Sequence, residues 1–220
     1  MFLLDGGRGD RWLVDSGHAL ERVVLLYELR RAGVRPSDLT GVLLTHRHSD
    51  HAGNAAFLRA RYGVRIHAHR ADAAVLAGDA PRPRIPRAPG DPLASAFAAI
   101  ENRFPAARVV VDRALDEGDA VAGLEVHWVP GHTDGSVFYR HASTRTLLTG
   151  DTLLTAHPPL TLRAGLCLPY PSYAADLPRA HASIRAFHDK GLAYEHLLAG
   201  HGPPLLGRAR ARVLELLDRS

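Results

Sequence analysis

The segment Thr45-His46-Arg47-His48-Ser49-Asp50-His51-Ala52-Gly53 places three imidazoles and a carboxylate within six consecutive positions, and no other stretch constrains the fold as tightly. It follows an apolar run at 42–44 that reads as a short buried strand. It precedes a helical pattern at 54–62 that Gly63 stops. Side chains two apart in an extended segment point to the same side, so His46 and His48 belong together. Asp50 and His51 fall where the chain turns into the next helix. Ligand-type side chains leaving a strand end in this way can serve two adjacent metal ions. A loop that is merely rich in histidine would have no reason to keep HxHxDH spacing against an apolar strand.

Three later segments repeat the context. His132 follows Pro130-Gly131 at the end of an apolar run at 124–129, Asp151 follows Gly150 after 146–148, and His201 follows Gly200 after 196–198. Glycine permits close backbone approach, and strand ends hold a ligand rigidly. A lone Gly-His or Gly-Asp is commonly a turn, whereas four such segments predict one site. Ser49 and Thr133 read as hydrogen-bonding loop residues, and His18 as a residue near a helix cap.

The remaining pattern is mixed. Apolar runs at 2–4 and 12–14 around Gly6-Gly7-Arg8-Gly9-Asp10 predict a hairpin. Leu20, Val23, Val24, Tyr27 and Leu29 carry helical spacing over 19–31, and helices are also predicted at 71–76, 93–103, 175–187 and 208–217. Strands are predicted at 64–68, 108–111, 120–121, 124–129, 137–140, 146–148 and 196–198. Residues 78–92, with five prolines and three arginines, and residues 156–173 read as irregular. The first is either a functional loop flanking the pocket or a tolerated surface insertion. Strands and helices interleave in both halves, which predicts a single layered α/β domain over 1–220.

Composition excludes other classes. No apolar run approaches the roughly 20 residues of a membrane-spanning helix. The opening Met1-Phe-Leu-Leu-Asp5 has no basic region, long apolar core or cleavage site of a secretory leader, and Cys167 is the sole cysteine. Both point to a cytoplasmic chain without disulfides or a thiolate metal cluster. A net charge of +4 suggests nucleic acid, but the 27 basic residues are all arginine except Lys190 and are scattered. The partner expected is therefore a small-molecule substrate, with neither nucleic acid nor membrane.

The four segments resemble the metallo-β-lactamase fold superfamily of metallo-hydrolases, and the likeness covers nearly the whole chain. Its signature stands here as His46-x-His48-x-Asp50-His51, followed in family order by His132, Asp151 and His201. The resemblance implies an αββα sandwich with the site at one edge between the sheets. It implies that His46, His48 and His132 hold one metal, that Asp50, His51 and His201 hold a second, and that Asp151 bridges them. Asp15-Ser16-Gly17 matches the family's early Asp-x-Gly, whose Asp supports the ligand loops. Chains of this family often have strand residues before the first Leu-x-Asp-Gly-like run, which Met1 opens here, so the expectation is either a first sheet short at its edge or a recorded start that is late.

Imidazole and carboxylate ligands without thiolate suit two zinc ions, and also iron or manganese. Two zinc ions would share a water whose pKa falls to about 7. Asp50 would then act as ligand and proton acceptor or orienter, and Asp151 as the bridge. Around them His157, Tyr170 and Tyr173 are candidates to line the pocket, and Cys167 reads as a buried thiol. The expected activity is hydrolysis of an ester, thioester or lactone. The alternatives are a glyoxalase II-like thioesterase, a mononuclear iron persulfide dioxygenase-like oxidoreductase on His46, His132 and Asp151, and a phosphodiesterase or nuclease. The complete second ligand set weighs against the iron enzyme, and the short chain after His201 against the nuclease.

Overall fold

The hairpin expected at the start of the chain forms. Strand β1 (Phe2–Asp5) pairs antiparallel with β2 (Arg11–Val14) in a computed structural model that describes residues 1–7, 9–88, 90–157, 163–170 and 173–219. The chain then passes through α1 (Arg22–Arg31) to β3 (Gly41–Leu43). From there α2 (Ser49–Ala52) and α3 (Ala55–Tyr62) lead to β4 (Arg65–His69). Helices α4 (Arg70–Ala77) and α5 (Pro92–Arg103) lead on to β5 (Arg113–Leu115). Strands β2 to β5 pair in parallel, an arrangement that needs such crossovers, and β1 closes the edge with four residues.

The second sheet begins as an antiparallel meander: β6 (Ala120–Val121), β7 (Leu124–Trp128), β8 (Val137–His141) and β9 (Thr146–Gly150). A separate hairpin follows, β10 (Leu154–His157) with β11 (Arg163–Cys167). Helix α6 (Leu177–Asp189) then returns the chain to β12 (His196–Ala199), which pairs parallel to β9, and α7 (Ala209–Leu217) follows.

Three apolar seams hold the layers. Leu25, Leu29, Leu58 and Leu76 pack the helices of the first half onto the first sheet, while Ile184, Phe187, Val213 and Leu217 pack α6 and α7 onto the second. Between the sheets lie Trp12, Val14, Leu43 and Leu115 from one side and Leu124, Val126, Tyr139 and Leu148 from the other. Each fully buried Leu or Phe contributes about 1.5–3 kcal/mol, so the seams fix the αββα order. At one edge the sheets are also tied through polar atoms. Tyr139 donates its hydroxyl to the Leu44 carbonyl at 2.8 Å, and the Val137 amide donates to the Thr45 carbonyl at 3.0 Å.

Three sequence expectations are corrected. Residues 108–111 form no strand: the Val109 amide bonds to the Leu76 carbonyl and Val109 is buried against the helices, so pairing starts at Arg113. The 156–173 stretch is not irregular throughout, since β10 and β11 pair within it, while 158–162 and 171–172 lie outside the described residues. Cys167, on β11, is half-buried rather than buried, and its thiol donates to the Ala156 carbonyl. The helical spacing over 19–31 is realised, yet Leu20 is 89% and Val23 78% exposed, and α1 is held by Leu25 and Leu29.

Among the described residues four buried histidines, His67, His69, His127 and His188, lie outside the candidate site. His67 on β4 packs against the edge of Trp12, with neither ring nitrogen hydrogen-bonded. Burial first, then Arg65 and Arg113, push its imidazole down to about 4. The folded state therefore prefers the neutral ring, and its stabilisation is present above pH 6.5 and lost as pH falls toward 4. Between pH 7 and pH 4.5 the expected loss from this residue is about 2 kcal/mol. Urea unfolding at the two pH values should show that gap shrinking by this amount in His67→Leu. An unchanged gap would refute the assignment.

Candidate metal centre

The apolar strand β3 ends in Leu44, whose amide bonds to the His67 carbonyl, and the next residues leave the sheet at the edge where the two sheets meet. His46 and His48 stand on this exit, and Asp50 and His51 on the short α2. From the second sheet come His132 in the loop between β7 and β8, Asp151 after β9, and His201 after β12. The structure thus brings all seven residues together, in two groups. His46, His48 and His132 offer nitrogens within 4.8 Å of one another, and so do the ligand atoms of Asp50, His51, Asp151 and His201. Asp151 reaches toward both. Its Oδ1 lies 3.2 Å from His51 Nε2, and its Oδ2 lies 3.3 Å from His201 Nε2 and 4.0 Å from His132 Nε2.

Asp15 orients this cluster. Its carboxylate accepts from the Thr45 amide at 2.8 Å, from the Thr45 hydroxyl at 2.9 Å and from His51 Nδ1 at 2.8 Å. That last bond turns the Nε2 of His51 toward Asp50 and Asp151. Thr45 Oγ lies 3.1 Å from His46 Nδ1, so with its own proton on Asp15 it accepts from that nitrogen and turns His46 Nε2 inward. Fixing the tautomer of a ligand through its outer nitrogen is how histidine metal sites are organised. Gly200 admits the approach, since a Cβ there would meet Asp151 Oδ1 at 2.3 Å.

The electrostatics divide along the same line. Burial first, and then the neighbouring imidazoles, hold His46 and His48 well below the ordinary histidine range, and burial brings His132 down to about 4. These three rings are neutral and present lone pairs; His46 Nε2 and His132 Nε2 face each other at 3.2 Å. In the other group the carboxylates dominate. Asp151 raises His201 to about 10, and against burial Asp151, Asp50 and Asp15 raise His51. Asp50 and Asp151 are in turn held low by His51 and His201 against their own burial. The acidic group recruits protons as its counter-charge, a role a divalent cation takes over by displacing them. His51 Nε2 and Asp151 Oδ1 are buried 3.2 Å apart without forming a hydrogen bond, so the donor set fits a shared cation better than an internal bond.

A cavity of about 400 Å³ opens over the cluster, with His48, Asp50, His132, Asp151 and His201 at its base. Of the candidate pocket residues, Tyr170 and Tyr173 line it and His157 does not; His157 sits opposite Arg163 in the β10–β11 hairpin, beside Gly165. His18 caps the turn at 19–21, as expected, and also lines the cavity. Burial pushes the Cys167 thiol up to about 11, which removes it as a nucleophile near neutral pH. From the 78–92 stretch, Ile85 lines the cavity.

Two residues escaped the sequence reading. Buried Asp72 on α4 accepts from the Arg47 amide and guanidinium, each at 2.9 Å, from the Thr133 hydroxyl at 2.7 Å and from the Gly135 amide at 3.2 Å. It thereby joins the loop of His46 and His48 to the loop of His132. Glu101 on α5 accepts from the Ser49 amide and hydroxyl and lines the cavity. The signal for Asp72 was Arg47 itself: a guanidinium inside a buried motif requires a buried carboxylate somewhere.

An αββα sandwich with a histidine–aspartate cradle at one sheet edge defines a metal-binding α/β protein. The chain belongs to the metallo-beta-lactamase superfamily, whose family model matches residues 1–203. It is 32% identical over 163 residues to a Bacillus subtilis protein described as "Probable metallo-hydrolase YybB", covering 72% of this chain and 65% of that protein. It is 34% identical over 160 residues to a hydroxyacylglutathione hydrolase of Fuscovulum blasticum, covering 70% of this chain but 48% of that one. A solved structure, TTHA1623 in a di-iron-bound form, matches 96% of this chain and 91% of its own at a TM-score of 0.67 and 24% identity. Among the described residues no helix is long and apolar enough to cross a membrane.

Proposed function

We propose that this chain is a dinuclear metallo-hydrolase, with zinc the expected metal, that attacks an ester, thioester or lactone carbonyl. The observation that carries the reading is the shared position of Asp151, between a neutral three-imidazole group and a carboxylate–imidazole group. His46, His48 and His132 would hold one cation and Asp50, His51 and His201 the other, with Asp151 between. When bound, such ions supply hydroxide near neutral pH and polarise the carbonyl. The chain's own residues do the rest. Asp15 and Thr45 engage the outer nitrogens of His51 and His46 and so aim the inward nitrogens at the cation sites, and Asp50 accepts from His201 Nε2 at 2.9 Å. Tyr173, pushed up to about 12 by burial, stays protonated and can donate a hydrogen bond into the cavity.

Relatives named as hydroxyacylglutathione hydrolases support the thioester arm of this reading. The di-iron form of a neighbour of the same fold makes iron the metal to exclude. Elemental analysis of protein purified without added metal is the test, with about two zinc per chain expected. One iron and no zinc, with no hydrolysis of thioesters, aryl esters or lactones, would replace this reading by the oxidoreductase one.

A further inference from the structure

The wall of the cavity differs sharply in chemistry from its base. Opposite the cradle stand Ile85, Phe97, Ile100, Leu154, Tyr170 and Tyr173, and no Lys or Arg lines the cavity among the described residues. Phe97 and Ile100 lie one turn apart on α5, line the cavity and keep 37% and 51% of their surface exposed. The charge this wall does carry is negative. Glu101, next to Ile100 in the chain, accepts from the Ser49 amide. A guest carboxylate would therefore find no described Lys or Arg on the lining and the Glu101 carboxyl beside it.

We infer that the site takes an uncharged acyl ester, thioester or lactone whose apolar chain lies along Phe97, Ile100 and Ile85, and that it discriminates against glutathione thioesters. This rests on the hydrolase reading above and narrows its substrate. A glutathionyl group brings two carboxylates and one ammonium, a net negative charge, and its carboxylates would lose water in a cavity that no described Lys or Arg lines. An alkyl chain instead covers the exposed apolar face. A cavity of about 400 Å³ accommodates such a chain beside the reacting carbonyl.

The test uses the full chain loaded with zinc. With p-nitrophenyl acetate, butyrate and hexanoate, kcat/KM should rise about fourfold per added methylene, and Phe97→Ser and Ile100→Ser should flatten that slope. The lactoyl thioester of N-acetylcysteamine, which is uncharged, should exceed the lactoyl thioester of glutathione by about tenfold or more, and Glu101→Gln should narrow the gap. Calorimetric binding of two probes that cannot be hydrolysed, 2-octanone and S-hexylglutathione, gives a readout independent of turnover, and the ketone should bind more tightly. A flat chain-length series, or preference for either glutathione compound, overturns the inference while leaving a hydrolase in place. Ketone binding that is stronger than that of S-hexylglutathione and weakened by Phe97→Ser, with no hydrolysis of any ester or thioester, supports the inference and sinks the hydrolase reading. No binding of either probe and no turnover overturns both.

Discussion

Asp151→Ala is expected to abolish binding of the cation pair and to lower hydrolysis by about 10³-fold or more. Its carboxylate is the one group with an oxygen near both sets: 3.2 Å from His51, 3.3 Å from His201 and 4.0 Å from His132. Alanine removes the negative charge that would offset two dications and takes away the carboxylate 4.0 Å from His132. Asp151→Asn separates charge from shape, since it keeps an acceptor of the same size in the same buried place. It should retain the fold and lose most of the metal. Metal content by elemental analysis, alongside kcat/KM, reads both variants. Full metal and full activity in Asp151→Ala would show that the seven residues are not one site.

Asp72→Ala is expected to destabilise the metal-free protein by about 3–5 kcal/mol, measured by urea unfolding. The Arg47 side chain is 3% exposed and its guanidinium lies 2.9 Å from Asp72, so truncation strands a buried cation. The same change frees the Thr133 hydroxyl and the Gly135 amide, which loosens the loop of His132. Arg47→Met combined with Asp72→Ala should therefore cost less than the two single changes added together, because no charge is left unpaired. Additive costs would mean that the pair contributes nothing as a pair. Metal affinity should fall in Asp72→Ala even though Asp72 belongs to neither ligand group.

The cradle was legible because each ligand follows an apolar strand and sits beside glycine or inside one short motif. That local context survives in a linear reading. Asp15 was legible only through the resemblance, because Asp15-Ser16-Gly17 matches the family's early Asp-x-Gly. Asp72 was not, because its partners Arg47, Thr133 and Gly135 are 25, 61 and 63 positions away, and one acidic residue on a helix carries no sign of them. The spacing of Leu20, Val23, Val24 and Tyr27 identifies a helix, but periodicity alone does not say which face the sheet will cover. The valines at 109–111 carry the same ambiguity between strand and core-facing extended chain. The β10–β11 hairpin was missed because its two strands pair only with each other and carry weak alternation. His157 followed that error: read as part of a loose segment, it stands instead in a paired strand away from the cavity.

The segment from Ile85 through α5 is fastened mostly to itself. Asn102 exchanges two hydrogen bonds with Ile85, Ser95 exchanges two with Ala88, and Asp91 caps the helix that follows it. Glu101 with Ser49 is the hydrogen-bonded link from this helix to the ligand loops among the described residues. The ligand loops and the α5 side of the cavity therefore stand on separate stretches of the chain, joined through Glu101. Selection can rewrite residues 85–103 without disturbing the imidazoles, so descendants of such a scaffold can share every metal-facing residue and still part company over what they consume.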